Sequence, residues 1–105
     1  MNADRMLQQK MWLIFAEVLG DTDGATGRSE IGFMNITTWA DAEKSAVIKI
    51  EKYLQSFGWH LISVEKAGII DENTEYGDTV AEMIERTRNN SNAIILGTFH
   101  TYKTN

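Results

Sequence analysis

The chain has 105 residues, a formal net charge of −5 and no cysteine. This length is typical of a single domain, and it suffices to bury a hydrophobic core without disulfides or a structural metal. The missing cysteines exclude disulfides, thiolate metal sites and a thiol nucleophile. The acidic balance, with Lys and Arg scattered rather than clustered, argues against binding to nucleic acid or to an anionic membrane surface.

The first segments in chain order are an N-terminal arm and a strand. Residues 1–10 are polar and are expected to form a flexible arm, so the single α+β domain occupies residues 11–105. Met11 to Leu19 is apolar on both alternations, which is typical of a strand covered on both faces. Glu17 interrupts this run, which is also shorter than the ~20 apolar residues of a membrane span. We therefore expect no targeting or membrane segment and a cytoplasmic location.

A loop and a second strand follow. Gly20 to Glu30 is rich in glycine and aspartate and is expected to form a flexible loop. Ile31 to Trp39 is rich in β-branched and aromatic residues, which fit a pleated, half-buried surface. This segment predicts a strand antiparallel to the first.

The clearest local signal is a helix with both ends marked. Apolar residues at helical spacing predict a helix from Ala42 to Phe57, with Asp41 as the N-cap residue. Gly58 stands at the position after a helix that adopts a left-handed conformation, and Trp59 is expected to pack back onto the last turn.

The second half of the chain predicts one more strand, a helix and a final strand. Leu61 to Ile70 is expected to form the third strand, followed by a polar turn. Thr79 and Glu82 match a capping box for a helix that ends near Arg88. Ala93 to Tyr102 predicts the last strand.

The element order ββαβαβ predicts an α+β two-layer sandwich, ferredoxin-like in kind, with a four-stranded sheet and two helices on one face. The other face would then carry large apolar side chains in open solvent, and a homodimer that packs sheet against sheet is the simplest way to cover them. The alternative is that the N-terminal arm and the long loop shield Trp12, Phe33 and Phe99.

The polar residues point to no catalytic group, metal site or cofactor. His60 and His100 are the only histidines, and their spacing matches no metal-binding motif. His100 and Tyr102 share one alternation of the last strand and are candidates for a ligand-facing group. A small-molecule sensor or minor enzyme, with a pocket between the sheet and the second helix edged by His60, His100 and Tyr102, is therefore one hypothesis of function.

The acidic residues support the other hypothesis, a non-catalytic protein-binding module. Glu65, Glu72, Glu75 and Asp78 are candidates for an acidic patch that binds a basic protein partner. The simpler reading of the same charges is that they keep the protein soluble.

The segment from Phe33 to Ala67 resembles a group of small, mostly uncharacterised bacterial proteins. The residues that carry the resemblance are Trp39-Ala40-Asp41-Ala42, Gly58-Trp59 and Val64-Glu65-Lys66-Ala67, in about a third of the chain. In that group a strand ending near a Trp leads to a helix closed by Gly-Trp and then to a strand. Some members have the size and acidity seen among the immunity proteins of bacterial toxin systems, so the resemblance implies a stand-alone bacterial domain and makes an immunity-like role one form of the protein-binding hypothesis.

Overall fold

The computed structural model describes residues 9–23 and 28–101, which form five strands and two helices. The strands are β1 (Lys10–Asp23), β2 (Arg28–Ala40), β3 (His60–Ile69), β4 (Ile94–Leu96) and β5 (His100–Thr101). The helices are α1 (Glu43–Gln55), which follows β2, and α2 (Asp78–Arg88), which follows β3. The prediction of an α+β fold is confirmed, with one strand more than expected.

All five strands form one antiparallel sheet in the order β3-β1-β2-β4, and β5 also pairs with β2. β1 and β2 make a long hairpin whose pairing runs from Lys10 and Ala40 to Asp23 and Arg28. The loop expected over residues 20–30 is therefore wrong for most of its length, because backbone pairing continues through a segment of turn-like composition. Residues 24–27 lie outside the described residues.

The face of the sheet that we call the α1 face holds the larger core. It carries the even-numbered side chains of β1 and β2, which pack against Ala46, Ile50 and Leu54 of α1. The buried strand residues in this core are Trp12, Ile14, Ala16, Val18, Met34, Ile36 and Ala40. The spacing of the three helix residues places them on one side of α1, as the sequence predicts.

The opposite face, which we call the α2 face, packs against the other helix. Met11 and Leu13 of β1 contact a cluster that includes Val80 and Ile84 of α2. Because successive side chains of a strand point to opposite faces, these odd-numbered residues lie on the side away from α1. The prediction that both helices lie on one face is wrong: the sheet is sandwiched between α1 and α2, and the fold is not ferredoxin-like.

The two helix starts differ from prediction, whereas the end of α1 confirms it. The N-cap residues are Ala42 and Gly77, neither helix start has a side-chain cap, and Asp41 and Thr79 do not have the expected role. Gly58 has a φ of 85°. Its N–H donates to the carbonyl of Gln55 (3.1 Å), and the N–H of the next residue, Trp59, donates to Leu54 (3.0 Å). This pair of bonds is the Schellman motif.

The predicted last strand is split into β4 and β5 at Gly97. The N–H of Gly97 still donates to the carbonyl of Asn35 (2.8 Å), but a Cβ at Gly97 would lie 3.0 Å from Sδ of Met83 on α2. The strand resumes with His100 opposite Phe33, one residue out of register with β4. The extra residue is a bulge that lets Phe99 pack against the α1-face core.

Candidate functional site

The histidines that the sequence singled out lie apart. His60 pairs with Leu19 of β1, His100 pairs with Phe33 of β2, and both imidazoles are exposed on the α2 face. β1 and β2 separate them, so they lie three strand spacings, or about 14 Å, apart across the sheet. That separation excludes a metal ion shared by the two rings. Tyr102 lies outside the described residues.

The four acidic residues come from two parts of the fold. Glu72 and Glu75 in the loop before α2, and Asp78 at the first position of α2, are exposed, and the positive end of that helix favours their charges. Glu65 is exposed on β3, about 13 Å of strand before the end of that strand. Glu72 is also occupied, because both of its carboxylate oxygens accept hydrogen bonds from Arg88 (2.9 and 3.1 Å).

Two cationic side chains have shifted pKa values with structural causes. Hydrogen bonds and charge from Glu72, helped by Glu85, raise the pKa of Arg88. The guanidinium thereby ties the loop between β3 and α2 (residues 70–77, the β3–α2 loop) to the end of α2. Partial burial lowers the pKa of Lys49, whose ammonium donates to the carbonyl of Trp39 (2.8 Å).

An exposed aromatic pair lies at the C-terminal end of α1. Tyr53 and Phe57 are 40% and 45% exposed, and their rings meet edge to face with centroids 5.2 Å apart. Phe57 in turn contacts Trp59 (6.0 Å), which contacts Phe99 (4.9 Å). The chain of rings therefore runs from the surface into the α1-face core. We call Tyr53 and Phe57 the aromatic pair.

A groove of about 560 Å³ lies on the α2 face beside the β3–α2 loop. Its lining residues come from the three long strands and the loop: Leu13, Phe15, Asn35, Lys66, Ala67, Gly68, Ile69 and Tyr76. The hydroxyl of Tyr76 accepts a hydrogen bond from the N–H of Asp71 (3.0 Å), which holds the ring as a wall of the groove. A pocket between the sheet and the second helix was expected, but no residue of α2 lines this groove, and neither does His60 or His100.

The sequence analysis predicted neither the exposed aromatic pair nor the residues that line the groove. It placed Phe57 in the buried stripe of the helix, although the spacing of Tyr53 and Phe57, four residues apart, was a signal for a paired surface. For the groove, the available signal was Asn35, a polar residue inside an apolar strand segment.

Among the side chains that the structure describes, in residues 9–20 and 29–101, no three His, Asp or Glu come close enough together to hold a metal ion. Neither helix in this part of the chain has the length and apolar character needed to cross a membrane. Comparison of the chain with protein-family models, with curated proteins and with solved structures finds no match.

Proposed function

We propose that this chain is a non-catalytic protein-binding module whose binding surface is the aromatic pair. The observation that carries the proposal is the exposure of two contacting aromatic rings at the C-terminal end of α1. Aromatic side chains are enriched at the centres of protein interfaces, where a few of them supply most of the binding free energy.

The aromatic pair is held in place before a partner arrives. Phe57 sits between the last turn of α1 and the left-handed Gly58, and the Schellman motif fixes the backbone on both sides of it. Trp59 supports the ring of Phe57 from the core side. A surface that loses little conformational freedom on binding keeps more of its contact free energy as affinity.

A basic protein is the proposed partner. Fifteen acidic residues against ten basic ones give the chain its net charge of −5, which accelerates encounter with a positively charged surface. The immunity-like resemblance favours a basic toxin enzyme and a cytoplasmic location. A sheet-to-sheet homodimer would have less apolar surface to bury than the sequence predicts, since α2 covers part of the face opposite α1.

The test compares substitutions at residues of similar exposure on α1 and just after its end. The double variant Tyr53→Ser/Phe57→Ser removes the aromatic pair, whereas Ile48→Ser changes an isoleucine that is 42% exposed elsewhere on α1. Each immobilised variant is incubated with an extract of the native cells, and retained proteins are identified by mass spectrometry at low and high salt. We expect a basic protein that binds the wild type and Ile48→Ser, is lost with the double variant, and weakens as salt rises.

Light scattering across a dilution series completes the test. A monomer at all concentrations agrees with a separate protein partner. A dimer that the double variant abolishes would overturn the basic partner and show that a second copy occupies the aromatic pair. Retention that is equal for all three chains would overturn the role of the aromatic pair.

A further inference from the structure

The groove on the α2 face has the dimensions and lining of a small-molecule site. Its volume of about 560 Å³ falls within the range of about 300–1,000 Å³ that is usual for ligand pockets. Leu13 and Phe15 supply an apolar floor, and both are half-buried. It lies on the face opposite α1 and the aromatic pair, so it extends beyond the protein-binding function proposed above.

Two polar side chains flank the floor in one row across the sheet. Phe15 pairs with Lys66 of β3 on one side and with Asn35 of β2 on the other. Residues paired across antiparallel strands point to the same face, and neighbouring strands lie about 4.8 Å apart. The backbones of Lys66 and Asn35 are therefore about 10 Å apart, with the phenyl ring between the two side chains.

Neither flanking side chain is used by the fold. Within the described residues, the ammonium of Lys66 makes no ion pair and the amide of Asn35 makes no side-chain hydrogen bond. The next residue of β2 on this face, Thr37, instead shares a hydrogen bond with Thr87 of α2 (2.7 Å). A half-buried amide offers two hydrogen-bond donors and one acceptor. Those of Asn35 are therefore available to a ligand in the groove.

The charge of the groove indicates the charge of its ligand. Lys66 is the only ionisable group among its lining residues apart from Tyr76, whose hydroxyl already accepts a hydrogen bond. We propose that the groove binds a small amphipathic carboxylate, with an aromatic or branched aliphatic body on Leu13 and Phe15. Its carboxylate is paired with the ammonium of Lys66, and the amide of Asn35 donates to a polar atom of the ligand.

The experiment uses 2-naphthoate and its uncharged analogue 2-naphthamide as probes. Each is titrated into the ¹⁵N-labelled full chain while amide shifts are followed by NMR. We expect saturable shifts at Phe15, Gly68, Tyr76 and the side-chain amide of Asn35, with naphthoate bound about tenfold more tightly than naphthamide.

Two variants and a control locate the site. Lys66→Gln should abolish the preference for naphthoate, whereas Lys44→Gln, at an exposed lysine of α1, should keep it. Gly68→Ile should weaken both probes about tenfold or more, because an added Cβ at Gly68 meets no atom within 4 Å and its side chain extends into the groove. The φ of Gly68 is not positive, so isoleucine fits the strand and the NMR spectrum of this variant should show a folded chain.

Three results would overturn the proposal: equal binding of the two probes, loss of the preference with Lys44→Gln, or shifts centred on Tyr53 and Phe57. The last result would place the probes on the aromatic pair. Because the groove and the aromatic pair lie over opposite faces of the sheet, failure of one proposal leaves the other standing.

Discussion

The left-handed conformation of Gly58 gives a stability prediction that a second glycine can calibrate. Replacing Gly58 by alanine forces an L-residue to a φ of 85°, which costs about 1–2 kcal/mol. No atom lies within 4 Å of the added Cβ, so no steric clash contributes to the loss. Gly68→Ala is the matched control, since it also adds a Cβ in open space but at a backbone φ that is not positive.

Comparing Gly58→Ala with Gly68→Ala isolates the free-energy cost of the left-handed backbone conformation. Both substitutions restrict the unfolded chain, which stabilises the folded state by about 0.4–1 kcal/mol where the native backbone accepts alanine. This contribution is common to both variants, so their free energies of unfolding should differ by the left-handed strain alone, about 1–2 kcal/mol. For a domain of this size the difference corresponds to about 4–16 °C in Tm.

Urea denaturation of the two variants followed by circular dichroism measures this difference, and thermal denaturation checks it. Gly58→Asn should recover part of the loss, because asparagine tolerates the left-handed region better than alanine. Equal stability of Gly58→Ala and Gly68→Ala would refute the assignment of the Schellman motif at the end of α1.

Three further predictions concern the contact of α2 with the sheet, the contact of Trp59 with the hairpin, and the β3–α2 loop. Because Thr87 donates its single hydroxyl proton to Met83 (2.8 Å), Thr37 must donate to Thr87. Thr37→Val and Thr87→Val should therefore each lower the free energy of unfolding, and Thr87→Val should lower it by about 1–3 kcal/mol. The double variant should lower it by less than the sum of the two single effects. Additive losses in urea denaturation would contradict a direct bond. Gly20→Ala should cost about 1–3 kcal/mol, because its Cβ would lie 2.6 Å from the Trp59 ring. An unchanged Tm would mean that the ring does not rest on the hairpin. Arg88→Met should speed hydrogen exchange of the β3–α2 loop while changing Tm little, and unchanged exchange would show that the ion pair does not hold this loop.

The sequence predicted local structure correctly where the signal lies within a single helix or strand and its ends. The buried positions Ala46, Ile50 and Leu54 of α1 and the helix end at Gly58 and Trp59 lie within a few turns of chain, and the structure confirms them, although Phe57 is exposed. Both alternations of β1 are apolar, and each face of β1 contacts a hydrophobic cluster, although Phe15 lines the open groove. The prediction that followed placed both helices on one face and assigned the other face to a homodimer contact, whereas α2 packs against part of that face.

The remaining features depend on contacts between distant segments. The glycine at the break, Gly97, accommodates the close approach of Met83, which lies on another element. The groove depends on the pairing of β1 with both β2 and β3, a register that no local pattern specifies. The missing side-chain cap of α1 follows from β2, which runs on to Ala40 and leaves only Asp41 and Ala42 before α1.

The opposite placement of α1 and α2 gives each face of the sheet its own fluorophore. The indole of Trp12 lies in the α1-face core and donates to the carbonyl of Ala40 (3.0 Å), whereas the indole of Trp39 donates to Thr87 of α2 (2.7 Å). With the other tryptophans replaced by phenylalanine, the emission of each indole reports the hydration of one helix–sheet contact. Coincident transitions of the two reporters mean that the sheet holds both helices in one cooperative unit. An earlier red shift of Trp39 means that α2 detaches while α1 remains docked.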